Sequence, residues 1–147
     1  MKSGLKVAAP KSIQEYKFYF QLRWEILRKP WGQPKGSERD KSDSSAIHRM
    51  ILDKDGHIIG VGMLLLNSFQ EAQIRFMAVS KNSQGMNVGT LLIESLESIA
   101  CERKCSLLIL QSRENSVKFY EKNGFKVIEK SYLLFGEIQH FLMQKKL

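Results

Sequence analysis

The spacing of apolar positions changes several times along the chain, and each change marks an element. In "SIQEYKFYFQLRWEILRKPWG", Ser12 to Gly32, the residues Ile13, Tyr16, Phe20, Trp24 and Leu27 fall three or four apart. That recurrence predicts a helix with one apolar face. Ser12 followed by Glu15 has the form of a capping box, and Pro30 stops the helix soon after Leu27. The polar run "WGQPKGSERDKSDSS" then reads as a loop. It is long for a connector, and such loops often carry function.

"AIHRMILDKDGHIIGVGMLLL", Ala46 to Leu66, reads as a hairpin around the turn "DKDG". His48 and His57 flank that turn and are expected at the surface. "QIRFMAVS" is a third strand. Val88 to Arg103 is a helix with Val88, Leu91, Leu92, Leu96 and Ile99 on one side. "SLLILQS" is a short continuous apolar run, as expected of a buried strand flanked by helices. "NSVKFYEKNGF" is a short helix, with Asn115 placed to cap it and Asn123-Gly124 ending it. "KVIEKSYLLFGEIQHFLMQKKL" gives two closing strands around Gly136. Strands and helices alternate after Gln73, so the class is α/β or α+β around a mixed sheet. The length, 147 residues, suits one domain over 1–147.

Composition narrows the class. Apolar residues make up 43% and charged residues 26%, ordinary for a globular chain. The longest apolar run, Ile58 to Leu66, falls short of the roughly 20 residues a membrane helix needs. The first residues carry no apolar core of a signal peptide. Cys101 and Cys105 form C-x-x-x-C with no nearby His pair, a poor metal site, so no metal is expected. Thiols of this kind suit a reducing cytoplasm. The net charge of +8 fits either an anionic partner or a solvated basic surface. Aromatic and basic residues do not interleave as in base-stacking surfaces, which counts against nucleic acid.

The chemistry concentrates in "SKNSQGMNVGT", Ser80 to Thr90. Strand, small-residue loop, helix is the arrangement that aims backbone N–H groups at an anion. The loop is not that of a nucleoside triphosphatase, because Gly89 is followed by Thr90 and Leu91 rather than Lys-Ser/Thr. The dinucleotide pattern G-x-G-x-x-G is also absent.

"MAVSKNSQGMNVGTLLIESLE" followed by "LILQSRENSVKFYEKNGFKV" resembles the GNAT superfamily of acetyl-CoA-dependent N-acyltransferases. Two signatures carry the likeness, in the family's order: a Q/R-x-x-G-x-G/A loop after a central strand, and an Asn opening a short helix with Phe-Tyr that ends in Gly-Phe. The likeness is specific from about Ile74 to Phe125. It implies a mixed, mostly antiparallel twisted sheet flanked by helices. It also implies coenzyme A pyrophosphate on backbone groups of Gln84, Gly85, Met86, Asn87, Val88, Gly89 and Thr90. The pantetheine arm would pair with Met77, Ala78 and Val79. Asn115 matches the position that helps hold that arm, though it suits a helix cap equally, and Phe119 is either a wall of the site or plain core. Asn87 stands where the family has its first loop glycine. After glycine, Asn best tolerates a left-handed backbone.

The resemblance assigns Tyr120 as the acid that protonates the leaving thiolate. Many members place Glu at the start of the central strand; here the residue is Gln73, which cannot serve as that base. Glu71, two residues earlier, shares its strand parity. His140 is the other candidate, with an ordinary pKa near 6.5. Acceptor choice is expected in the first helix and its loop, where Arg23, Arg28 and Arg39 cluster, with Arg75 and Gln73 on the central strand. Converging guanidinium groups would read a carboxylate or phosphate; solvation, or pairing with Glu25, Asp40 or Glu71, is the alternative. Trp24 and Trp31 either line that pocket or pack. The implied function is transfer of acetyl from acetyl-CoA to a primary amine of a small molecule or peptide. An idle acyl-CoA-binding or anionic-polymer-binding module on the same scaffold is the other class. A homodimer stays open, with an exposed last strand able to pair.

Overall fold

The computed structural model describes residues 4–147. Helix α1 spans Ile13–Leu27, and its capping box forms as expected. Glu15 N donates to Ser12 Oγ at 3.1 Å, and Ser12 N donates to the Glu15 carboxylate at 3.0 Å. The buried face differs from the one the spacing suggested. Tyr19, Phe20, Leu22 and Arg23 point inward, while Ile13 is 91% exposed. Tyr19 and Arg23 go inside because their polar tips find partners there, which a count of apolar residues does not see.

Seven strands form one sheet: β1 (Lys6–Ala8), β2 (Ile47–Leu52), β3 (Ile58–Leu66), β4 (Glu71–Val79), β5 (Leu107–Arg113), β6 (Lys126–Leu134) and β7 (Ile138–Lys146), in the order β1-β2-β3-β4-β5-β7-β6. All pairs are antiparallel except β4 with β5. The short β1 has no sequence pattern of its own and exists by pairing with β2. The last strand, β7, is held between β5 and β6 rather than exposed. The sheet edges are therefore β1 and β6, and pairing of two copies through β7 is excluded by its occupied sides.

Helix α1 packs on one face of the sheet, over Met50, Val61 and Ala78. Helix α2 (Val88–Glu102) packs on the other, over Leu64, Ala72, Ile74 and Leu108. Strand β3 is covered on both faces, which accounts for its unbroken apolar run. Gly60 lets α2 approach closely, since a Cβ there would lie 2.5 Å from Val88 Cγ1. The short helix α3 (Val117–Lys122) lies against β5 and β6. Among the described residues no helix is long and apolar enough to cross a membrane.

Beneath α1 lies a buried polar network. Arg23, 0% exposed, donates to Asp43 Oδ1 at 2.8 Å and to Glu38 O at 3.2 Å. His48, expected at the surface, is buried, with Nδ1 2.8 Å from the Tyr19 hydroxyl and Nε2 2.9 Å from Asp43 O. The long polar loop folds back over α1 to supply Glu38 and Asp43, and so closes this network. Its expected role in function is thus partly one of structure.

Candidate active site

The sheet is not paired along its whole length. β4 and β5 join only from Glu71–Ile74 to Leu107–Leu110. Past that point β4 carries a bulge, with Phe76 at φ 53° and the register to β3 shifted. A bulge bends its strand, and the two strands part. The side of β4 facing β5 is left without a strand partner at Met77, Ala78 and Val79. A cleft of about 1320 Å³ opens there, walled by both strands, the loop before α2, the C-terminal end of α1, and α3.

The loop before α2 forms one end of the cleft. Gly85 has φ +86° and Asn87 has φ 63°, so Asn87 does take the left-handed conformation. Among the described residues, no protein group accepts from the N–H of Gly85, Asn87, Val88, Gly89 or Thr90. These donors meet at the N-terminus of α2, where the helix dipole adds positive potential. Asn87 caps nothing with its side chain. Gly89 is needed for packing rather than for backbone conformation, because a Cβ there would lie 2.8 Å from Phe119 Cζ. Met86 departs from expectation. It is 47% exposed, off the cleft wall, and its N–H is used by Ser83 O at 3.3 Å.

Two substitutions test this loop. Asn87→Gly keeps the left-handed turn, and is expected to leave the fold intact and change acetyl-CoA affinity by about tenfold or less. Gly89→Val pushes the Phe119 ring out of the cleft wall and is expected to weaken binding far more. Calorimetric titration of both variants checks this, and equal, negligible effects would refute the placement.

Asn115 lies in a single 3₁₀ turn, Glu114–Ser116, and Ser116 precedes α3, so Asn115 does not cap that helix. Its Oδ1 accepts from Ser116 Oγ at 3.5 Å, and it lines the cleft. Phe119 serves in both of its expected capacities, packing on the core and walling the cleft. Tyr120 is held edge-on between Phe119 at 5.1 Å and Phe125 at 5.9 Å. Among the described residues its hydroxyl has no hydrogen-bond partner. Burial pushes that hydroxyl's pKa up to about 12, against the pull of the Arg113 charge, so it stays protonated at neutral pH.

His140 is buried on β7 and also lines the cleft. Its Nδ1–H donates to Ile138 O at 2.9 Å, which leaves Nε2 as the lone-pair nitrogen. The ring stacks on Tyr132 at 4.3 Å. Burial lowers its pKa below the usual value; the Ile138 carbonyl opposes this, and Arg113 and Arg28 add to it. Gln73 lines the cleft with its Oε1 accepting from Asn67 Nδ2 at 3.0 Å. The same Asn67 donates to Glu71 at 2.9 Å, so the strand parity was read correctly, yet Glu71 stays off the cleft wall. No carboxylate lines the cleft among the described residues.

Of the arginines expected at the acceptor side, Arg28 and Arg75 line the cleft. Arg23 does not: it is locked in the network under α1, stacked over Phe76 at 4.3 Å. Trp24 does not either. Its indole donates to Gln33 O at 3.0 Å on the outer side of α1. The sequence reading missed Arg113 and Tyr132, both on the wall. Arg113 lies two residues before Asn115, at the end of β5. Tyr132 gave no signal, because β6 reaches the cleft only through its pairing with β7.

Fold and site present an open strand edge beside a helix N-terminus with unpaired backbone donors. The profile described as the acetyltransferase (GNAT) family matches residues 16–125, and the chain belongs to that family. Acetyl-CoA is accordingly its donor, and the residues present fit it: orphaned N–H groups for a pyrophosphate and a bare β4 edge for an amide-bearing arm. The chain is 25% identical to the uncharacterised N-acetyltransferase YjcF of Bacillus subtilis, over 96% of this chain and 99% of the relative. It is 31% identical to the glucosamine 6-phosphate N-acetyltransferase of Candida albicans, over 52% of this chain and 56% of the relative. A GNAT acetyltransferase of Elizabethkingia anophelis, solved with acetyl-CoA bound, superposes with TM-score 0.75 at 16% identity, covering 99% of this chain and 100% of that one.

Proposed function

We propose that the chain, as a single domain over 1–147, transfers acetyl from acetyl-CoA to a primary amine of a small molecule or peptide by direct attack in a ternary complex. The unpartnered Tyr120 hydroxyl, set in the same cleft as the donor loop, carries this reading. The bound donor supplies an activated thioester. Tyr120 gives its proton to the departing sulfur. A phenol near pKa 12 is a weaker acid than a thiol near 8.5, so the proton moves only as the sulfur leaves and depends on placement. His140 takes the amine proton on Nε2, and Arg113 steadies negative charge at Tyr120. The free thiols Cys101 and Cys105 suit a cytoplasmic setting.

That no carboxylate lines the cleft among the described residues favours one competing reading, an idle acyl-CoA-binding module. Release of free thiol from acetyl-CoA across a panel of amines separates the two, and no release with any amine would support the module. The pH dependence follows from His140. Its neutral form is the base, and its lowered pKa keeps that form dominant above about 6.5. The His140 contribution to kcat/KM is expected to be full at neutral pH and to fall as pH drops through its depressed pKa, on top of the titration of the amine itself. His140→Gln should remove that acid limb. An unchanged limb would rule His140 out.

A further inference from the structure

The acceptor corner of the cleft holds three guanidinium groups from three separate elements: Arg28 after α1, Arg75 on β4 and Arg113 on β5. Arg28 Nη1 and Arg113 Nη2 both donate to the same carbonyl, Leu27 O, at 3.1 and 3.0 Å. That contact draws the two cations together at one point. Arg28 and Arg75 both stand over the Phe76 ring, at 5.8 and 4.4 Å. The Tyr132 hydroxyl feels the charges of Arg75, Arg113 and Arg28 together.

Counter-charge is short. Asp40 pairs with Arg75 at 2.9 Å. Glu38 is the next carboxylate near Arg28, but its Oε1 accepts from Gly36 N at 2.8 Å and it does not reach the cleft wall. Arg28 Nε also donates to Ser37 O at 3.2 Å, so the two remaining guanidiniums meet backbone carbonyls, which offer only partial charge, about half a unit at the helix C-terminus. Like charges so close repel, and a solvated surface would not gather them half-buried about one carbonyl. The donor's own phosphates already have the orphan N–H groups, with Lys81 on the same loop. A second anion is therefore the missing partner.

We infer that the acceptor is a small primary amine carrying its own carboxylate or phosphate, held by the forks of Arg28 and Arg113 with Tyr132 beside them. This rests on the transferase reading above and deepens it. Guanidinium forks match both oxyanions bidentately. Arg113 neighbours Tyr120 as well as this corner, so the anion and the amine lie few atoms apart on the acceptor. The same field excludes polyamines and other polycations.

Matched amines test it at saturating acetyl-CoA: an amino acid against its amide, an amino sugar phosphate against the free amino sugar, and a linear polyamine. The anionic member of a pair is expected to lead in kcat/KM by roughly ten- to hundredfold. Whether carboxylate or phosphate leads tells the two sources apart. Arg28→Gln should erase that lead by raising acceptor KM, with acetyl-CoA KM unchanged, and Arg28→Lys should keep part of it. Equal use of neutral and anionic amines, or preference for the polyamine, overturns the inference while leaving the transferase reading intact. If no amine is turned over, the transferase reading fails, and inorganic phosphate decides the anion site. With CoA saturating and ionic strength fixed, phosphate should raise the thermal midpoint of the wild type and not of Arg28→Gln/Arg113→Gln. No rise in the wild type, or an equal rise in the variant, overturns it.

Discussion

Tyr120→Phe is expected to lower kcat by roughly 10²–10⁴, the usual worth of a general acid, while acetyl-CoA affinity changes little. The substitution removes one oxygen and keeps the ring, whose contacts are with Phe119 and Phe125. Its hydroxyl bonds to none of the described residues, so losing it leaves no buried group among them without a partner, and stability should hold. The loss in rate should shrink for acyl donors whose thiolate leaves more easily, because such a thiolate needs its proton less. Steady-state rates under conditions where chemistry limits turnover provide the measurement. A variant with near wild-type kcat would remove Tyr120 from the mechanism and hand the role to water.

The second large effect concerns stability. Asp43→Ala leaves the Arg23 guanidinium, 0% exposed, without its carboxylate, and is expected to cost about 3–5 kcal/mol. For a chain of this size that is a fall in Tm of roughly 10 °C. Arg23→Ala should be comparably damaging, since it also gives up packing over Tyr19, Phe20 and Phe76. Replacing both partners by apolar residues of similar volume should recover much of the loss. Urea unfolding with an unchanged m-value is the check. Arg23 had been expected to choose the acceptor, so the contrast is direct. If truncation raised acceptor KM without lowering stability, the buried placement would be wrong.

Local pattern was sufficient for most contacts within a few residues, the Asn115 cap being an exception. The capping box at Ser12, the turn at Asp53–Gly56, the left-handed Asn87 and the α2 helix all rest on neighbours in sequence, and all formed as read. The loop before α2 is legible for the same reason. It presents backbone N–H groups at one helix terminus, and backbone geometry follows from glycine, asparagine and spacing. The two signatures from Ile74 to Phe125 also sufficed for the family, which the matched profile bears out.

What the sequence alone did not decide were the partners of polar side chains far apart in the chain. His48 looks like a surface residue and Arg23 like an acceptor contact until Tyr19, Glu38 and Asp43 fold around them. Ile13 looks buried by its spacing and is not. The opening between β4 and β5 depends on a bulge at Phe76, an aromatic residue with nothing in its type to announce a positive φ. The arginine-rich corner needs α1, β4 and β5 brought together before Arg28, Arg75 and Arg113 become neighbours. Burial and pairing of a charge are settled by the elements that reach it from elsewhere. An arginine's letter fixes its charge, and only the tertiary structure determines whether that charge is neutralised inside the fold or left facing a cleft.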